Sequence, residues 1–166
     1  MHPGRGLSKL LLLLAPVGLL SNGAAHAQAR CPWLNVATAS GALQGPALLE
    51  VKRLSESETS CVFRYQKENT AYVLQISVKS QQDPSKGLAQ SGSECSAPGT
   101  PLRAIGNEAI LCADDRRHTL GEEVVGRVRD SVFRVSITSR NDPDMTREVL
   151  EQKTRNIAEQ VAGSLF

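Results

Sequence analysis

The chain has few of the residues and patterns that build familiar binding and catalytic sites. Its 166 residues include three Phe, two Tyr and one Trp, too few for an easy stacking platform for sugars or bases. It has no glycine-rich phosphate loop, no Gly-x-Ser-x-Gly elbow and no EF-hand spacing of acids. The 19 basic residues barely exceed the 17 acidic ones, which argues against nonspecific nucleic-acid binding. We therefore expect no nucleic-acid partner and no cofactor.

The first 29 residues have the three parts of a secretory signal peptide. Arg5 and Lys9 form its basic region, and residues 10–20 are an apolar run too short to span a bilayer, which needs roughly 20 residues. Two small-x-small sites end the segment, so cleavage follows Ala27 or Ala29. Arg30 precedes Cys31, where a lipoprotein signal would have a small residue. We expect a signal peptide over 1–29, an exported domain over 30–166 in the periplasm or outside the cell, and no transmembrane segment after cleavage.

All the cysteines lie in the expected mature chain: Cys31, Cys61, Cys95 and Cys112. An even number in an oxidising compartment favours two disulfides. No pair has the close Cys-x-x-Cys spacing of a zinc site, so we expect no metal. Three pairings are possible, and the local, non-interlocking one joins Cys31 to Cys61 and Cys95 to Cys112.

The apolar pattern predicts an α+β fold in which helices pack on one face of an antiparallel sheet. Asn35 caps a short helix, a strand follows over 47–53, and residues 60–66 and 72–79 alternate as a hairpin. A short helix and a disulfide-pinned loop are expected over 81–100, and a small strand over 109–112. A second hairpin covers 123–138, and a helix begins near residue 142 with an apolar stripe along it.

Candidate catalytic groups are sparse. Asp114, Asp115 and His118 lie in one charged stretch, but no nucleophile accompanies them in a recognisable framework. We interpret them as a solvated turn. Trp33, next to Cys31, is interpreted as packing over a disulfide rather than as an exposed binding residue.

Three arginines are the candidates for an anion-binding surface: Arg64, Arg127 and Arg134. If Arg129 is opposite Val132 in the second hairpin, Arg127 lies directly opposite Arg134, and like charges so placed need an acid or a bound anion. The turn would then be Asp130-Ser131, which lacks the glycine favoured by two-residue turns, so a register shifted by one residue is the alternative. Arg64 joins them if its strand is a neighbour. The alternative is that acids such as Glu123 pair with these arginines at the surface.

The motifs together resemble a family of small exported bacterial domains. They are Cys31-Pro32-Trp33-Leu34 before a helix ending at Gly45, then Ser60-Cys61-Val62-Phe63, Ile105-Gly106-Asn107-Glu108-Ala109, a Val-x-Arg hairpin and a terminal helix with Ile157-Ala158. This pattern is similar to actinobacterial lipoproteins of unknown function and to the extracellular sensor-type domains of some mycobacterial membrane kinases. The resemblance implies an α+β fold without established catalytic residues.

These observations predict an exported domain with a non-enzymatic role in the cell envelope, binding an envelope protein or a small ligand. The alternatives are an enzyme acting on an envelope substrate and a structural or inhibitory partner of another exported protein.

Overall fold

A computed structural model describes residues 30–93, 95, 98–115 and 118–166. The predicted signal peptide lies outside the described residues. The helices are α1 Val36–Ala42, α2 Pro84–Ser93 and α3 Arg147–Ser164. The strands are β1 Leu48–Arg53, β2 Glu58–Lys67, β3 Thr70–Ser80, β4 Thr100–Leu102, β5 Glu108–Ala113, β6 Thr119–Val128 and β7 Ser131–Arg140.

The strands form one sheet in the order β1-β2-β3-β7-β6-β5-β4, and every pair is antiparallel. Two long hairpins, β2–β3 and β6–β7, meet where β3 pairs with β7 at the centre. The alternation of apolar and polar residues along these strands gives the sheet one strongly apolar face. We call this the helix-covered face.

The main core lies between this face and two helices. Phe63, Leu74, Phe133 and other fully buried strand residues point into it. α3 contributes the predicted apolar stripe, of which Leu150, Thr154, Ile157, Ala158 and Val161 are buried. α1, capped by the Asn35 side chain on the N–H of Thr38 at 2.8 Å, adds Ala39. Lys153 joins the two helices by donating to the carbonyl of Ala42, at 2.8 Å.

The second face of the sheet carries α2, so the prediction that all helices pack on one face is not confirmed. Leu88 of α2 packs with Val125 and Val132, which point away from the main core, and Ile110 packs against them. The sequence suggested otherwise because α2 has only one well-buried apolar residue, too little for a clear stripe.

Both predicted disulfides are present. Cys31–Cys61 ties the segment before α1 to β2, and Cys95–Cys112 ties the segment after α2 to β5. The described cysteines include no free thiol. Each bridge therefore fixes a helix-bearing segment to the sheet, one on each face.

The second hairpin does not have the register with Arg129 opposite Val132, and its turn lies one residue earlier in the chain. Val128 pairs with Ser131, so the turn is Arg129-Asp130, with Arg129 in the left-handed region at φ 53°. Arg127 therefore lies opposite Val132 and Arg134 opposite Val125, not opposite each other. The turn contains no glycine or asparagine, so the usual sequence signal for its position was missing.

α3 begins later than the sequence suggested. Its N-cap is Thr146, whose hydroxyl accepts from the N–H of Val149 at 3.4 Å. Asp142 lies before the helix and accepts a hydrogen bond from the Tyr72 hydroxyl instead. No helix among the described residues is long and apolar enough to cross a membrane.

Candidate functional site

The part of the second face that α2 leaves uncovered is the candidate site. We call it the open face. Side chains directly paired across the strands share a face, so two rows cross it. One row contains Arg64, Val73 and Thr138, and the next contains Gln66, Ala71, Arg140 and Thr119.

These rows line a cavity of about 320 Å³, which we call the Arg64–Arg140 cavity. Arg64 and Arg140 are both exposed, while Val73 and Thr138 are half-buried. From ordinary sheet spacings, the two arginine Cα atoms lie about 12 Å apart with β3 between them. Two long side chains placed in this way can contact one ligand from opposite sides.

The cavity is rich in hydrogen-bond donors. Its polar side chains include two guanidinium groups, the Gln66 amide and the hydroxyls of Thr119 and Thr138, and no carboxylate is among its described lining residues. Within the described part of the chain, neither Arg64 nor Arg140 forms an ion pair. Guanidinium forks match carboxylate and phosphate oxygens, so this chemistry favours an anionic group.

The other two predicted site arginines have carboxylate partners. Arg127 Nε contacts Glu108 Oε2 at 2.7 Å, and Arg134 Nη1 contacts Glu123 Oε1 at 2.7 Å. Arg127 holds the pKa of the Glu108 carboxyl below its usual value through this hydrogen bond. The surface ion-pair alternative requires acids, and these are in place at Arg127 and Arg134. Arg64 is the predicted member that has no carboxylate partner among the described residues.

Sequence reasoning missed Arg140. It ends β7 on the same face as Arg134, but its proximity to Arg64 depends on β7 pairing with β3. At Arg140 that pairing joins residues about 70 positions apart along the chain. Arg140 is an even number of positions from Val132 and Arg134 along the chain. This alternation was the only sequence signal that placed Arg140 on the same face as Arg134.

The residues of the candidate catalytic stretch have structural contacts. The Asp115 carboxylate accepts from Arg147 of α3 and from the N–H of Gly121, the latter at 3.2 Å. His118 is exposed in the turn before β6 and lines a different cavity, with Asp142 and Met145. Trp33 is partly buried and packs against the main core. Among the described residues, no group of three His, Cys, Asp or Glu side chains is placed to hold a metal ion.

Arg147 also contacts a second acid, Glu122, whose side chain is only 5% exposed beneath α3. Burial raises the pKa of the Glu122 carboxyl, and the Arg147 partner opposes that shift. The arrangement fixes the start of α3 to β6 and to the turn at Asp115. We therefore assign these charges to anchoring the helix.

Comparison with known proteins gives no matching family model, curated protein or solved structure. The candidate site is therefore assigned from the geometry of this chain alone.

Proposed function

We propose that this chain is an exported, non-enzymatic binding domain of the cell envelope that holds an anionic group in the Arg64–Arg140 cavity. The observation that carries the proposal is the pair of arginines lining one cavity without a carboxylate partner among the described residues. On the same face of the sheet, acids hold Arg127 and Arg134, whereas no described carboxylate pairs with Arg64 or Arg140.

Export is supported by the leader pattern in the first 29 residues and by two disulfides, which persist in oxidising compartments. The resemblance to small exported bacterial domains belongs to the same proposal. The chain lacks their lipid-attachment cysteine, which suits a protein released from the membrane.

The cavity suits a small, doubly charged or forked anion. A guanidinium group binds two oxygens side by side, and two such groups on opposite sides of one ligand satisfy a carboxylate pair or a phosphate. The Thr119 and Thr138 hydroxyls add donors at the cavity wall. Ala71 and Val73 provide a short floor that leaves room for the anion between the arginines.

The proposal is tested by titrating the processed protein with inorganic phosphate and with citrate, following backbone amides by NMR. Shifts are expected at residues 71–73, 119 and 138–140. Arg64→Ala and Arg140→Ala should each weaken binding about fivefold to tenfold, since each removes a charge-assisted contact at a partly solvated site.

Arg103→Ala is the matched control. Arg103 is also exposed but lies after β4, at the opposite edge of the sheet from β1. This variant should bind as the unmodified protein does. Shifts confined to another part of the sheet, or equal binding by all three variants, would contradict the proposed site. Arg64→Lys keeps the charge but loses the fork, so an intermediate loss is expected.

A further inference from the structure

β1 is an edge strand whose outer backbone groups are not paired with another described strand. It pairs with β2 on one side, and no described strand lies on its other side. The N–H of Leu54 donates to the carbonyl of Glu58 at 2.9 Å, continuing this ladder. Because bonding alternates along antiparallel strands, residues 48, 50, 52 and 54 face β2 with their backbone groups. The N–H and C=O groups of Leu49, Val51 and Arg53 therefore point to the free edge.

The side chains of β1 and of Leu54, the residue after it, are arranged symmetrically about Val51. Leu48 and Leu54 lie three positions before and after it, and they are 78% and 55% exposed. Glu50 and Lys52 lie one position before and after it. Both are exposed, and within the chain Lys52 Nζ lies 3.0 Å from Glu50 Oε1. These four side chains share the open side of the sheet, because they alternate with Leu49, Val51 and Arg53.

We infer that β1 is the docking surface for a second copy of this chain, joined by antiparallel pairing of β1 with β1. With Val51 opposite its own counterpart, Leu49 is opposite Arg53 of the second copy, and their outward backbone groups bond. Glu50 is then opposite Lys52 of the second copy, and Leu48 is opposite Leu54. The contact is two-fold symmetric and so closes on itself.

Charge selects this register. Sliding the second copy by two residues in one direction places Glu50 opposite Glu50, and sliding it in the other places Lys52 opposite Lys52. Like charges directly opposed are unfavourable. A slide of one residue would set outward backbone groups against inward ones. Only the register centred on Val51 pairs opposite charges and also brings the exposed leucines together.

An apolar cavity of about 580 Å³ lies beside this edge and adds to the argument. Leu34, Val36, Ala47, Leu48 and Leu49 contribute its apolar lining, and Val36 is 40% exposed. In the proposed register, Leu54 of the second copy is opposite Leu48, one of the residues that line this cavity. Exposed edge strands usually carry charges or irregularities that prevent such pairing, whereas the charges of β1 complement a second copy.

The contact is small, since about six backbone hydrogen bonds and two leucine pairs join the copies. Interfaces of this size support weak, reversible association, with dissociation constants on the order of micromolar to millimolar. Sedimentation equilibrium over that concentration range should show a monomer–dimer equilibrium of the processed protein.

Charge exchange at the edge tests the register. Glu50→Lys and Lys52→Glu should each raise the dimer dissociation constant about tenfold or more, because each sets like charges opposite one another twice. The double variant Glu50→Lys/Lys52→Glu restores both pairs and should return the constant to within about threefold. Glu159→Lys, the same charge change at an exposed site on α3, should leave it unchanged. A protein that stays monomeric to millimolar concentration, or a double variant as weak as the single ones, would overturn the inference.

Amide hydrogen exchange locates the contact directly. On raising the concentration, the amides of Leu49, Val51 and Arg53 should gain protection, because their N–H groups become bonded only in the dimer. Those of Glu50 and Lys52 already face β2 and should change little. Protection gained at other strands, with none at Leu49 and Val51, would place the self-association elsewhere.

Discussion

At the scale of single residues, close contacts across the sheet depend on which strands are paired. Gly126 lies opposite Phe133, whose ring occupies the space where a side chain at 126 would stand. Gly45 in the same way accommodates the ring of Tyr65, which stacks on Tyr72 with ring centres 5.8 Å apart. A glycine in a strand or after a helix has other common uses, so the sequence alone does not show these contacts.

Tyr72 gives a prediction at this scale. Burial, followed by the hydrogen bond to Asp142, raises the pKa of its hydroxyl to about 12. The folded state thus favours the neutral phenol, and the unfolded state has the ordinary value of 10.0. Stability from this group is fully present below pH 10 and is lost as the pH rises toward 12.

Absorbance titration at alkaline pH measures this directly. In a Tyr65→Phe background Tyr72 is the only tyrosine. Its midpoint should stay well above 10.0, because burial and the hydrogen bond to Asp142 are the two largest causes of the shift and both remain. Asp142→Asn removes the hydrogen-bonded carboxylate, so the midpoint should fall part of the way toward 10, with burial keeping the rest. Asp130→Asn, in the exposed turn after β6, is the control and should leave it in place. A midpoint near 10 in the folded Tyr65→Phe protein would show that Tyr72 is not buried as described.

The residue-level predictions from sequence succeeded where the rule was local in the chain. The cysteine pairing followed from sequence order and is confirmed. The opposition of Arg127 and Arg134 failed because a shift of the turn by one position changes every partner along the ladder. The predicted assignment of side chains to the two faces of this hairpin is nevertheless confirmed, since Val128 and Phe133 both lie on the core side.

At the scale of elements, the sequence predicted the helices and strands that have a strong apolar periodicity and did not place those in which it is weak. The β2–β3 hairpin and the apolar stripe of α3 agree with the expectation because each has several buried residues at a fixed period. β4 has only three residues and was not predicted. The position of α2 depends on Leu88 contacting strands that come later in the chain. The open face could not be outlined without knowing which part of it α2 covers.

The start of α3 provides a prediction for an element. Arg147→Ala should destabilise the protein by about 1–3 kcal/mol, because it leaves the Glu122 carboxylate buried without its cation. The loss should be smaller at low pH, since burial raises the pKa of Glu122 and its protonated form needs no cation. Urea denaturation at pH 7 and at pH 4 measures both effects.

Two further variants on α3 and β6 test whether the loss of stability comes from the contact between Arg147 and Glu122. Arg155→Ala breaks an i,i+4 pair with Glu151, at 3.4 Å on the outer side of α3, and should cost no more than about 0.5 kcal/mol. Combining Arg147→Ala with Glu122→Gln should remove most of the pH dependence. Equal losses for Arg147→Ala and Arg155→Ala would mean that the contact with Glu122 contributes only as a surface ion pair.

At the scale of the whole molecule, the two proposals combine into one surface. The two-fold axis of an antiparallel strand pair is perpendicular to the sheet, so both open faces of the dimer lie on the same side. The two Arg64 residues are then about 25 Å apart by sheet spacings. A flexible polyanion can reach both cavities at once, and the second contact then forms at a high effective concentration.

We therefore expect long-chain polyphosphate to bind the dimer at least tenfold more tightly, per site, than inorganic phosphate does. Glu50→Lys should lose this advantage while keeping the affinity for inorganic phosphate, because it separates the copies but leaves Arg64 and Arg140 intact. This variant adds positive charge, so simple attraction of a polyanion would strengthen binding instead. Calorimetric titrations of both ligands, above and below the dimer dissociation constant, distinguish the two results. Unchanged or tighter polyphosphate binding by Glu50→Lys would show that each cavity binds independently. The double variant Glu50→Lys/Lys52→Glu should regain the tighter polyphosphate binding of the unmodified protein only if pairing through β1 brings the two cavities together.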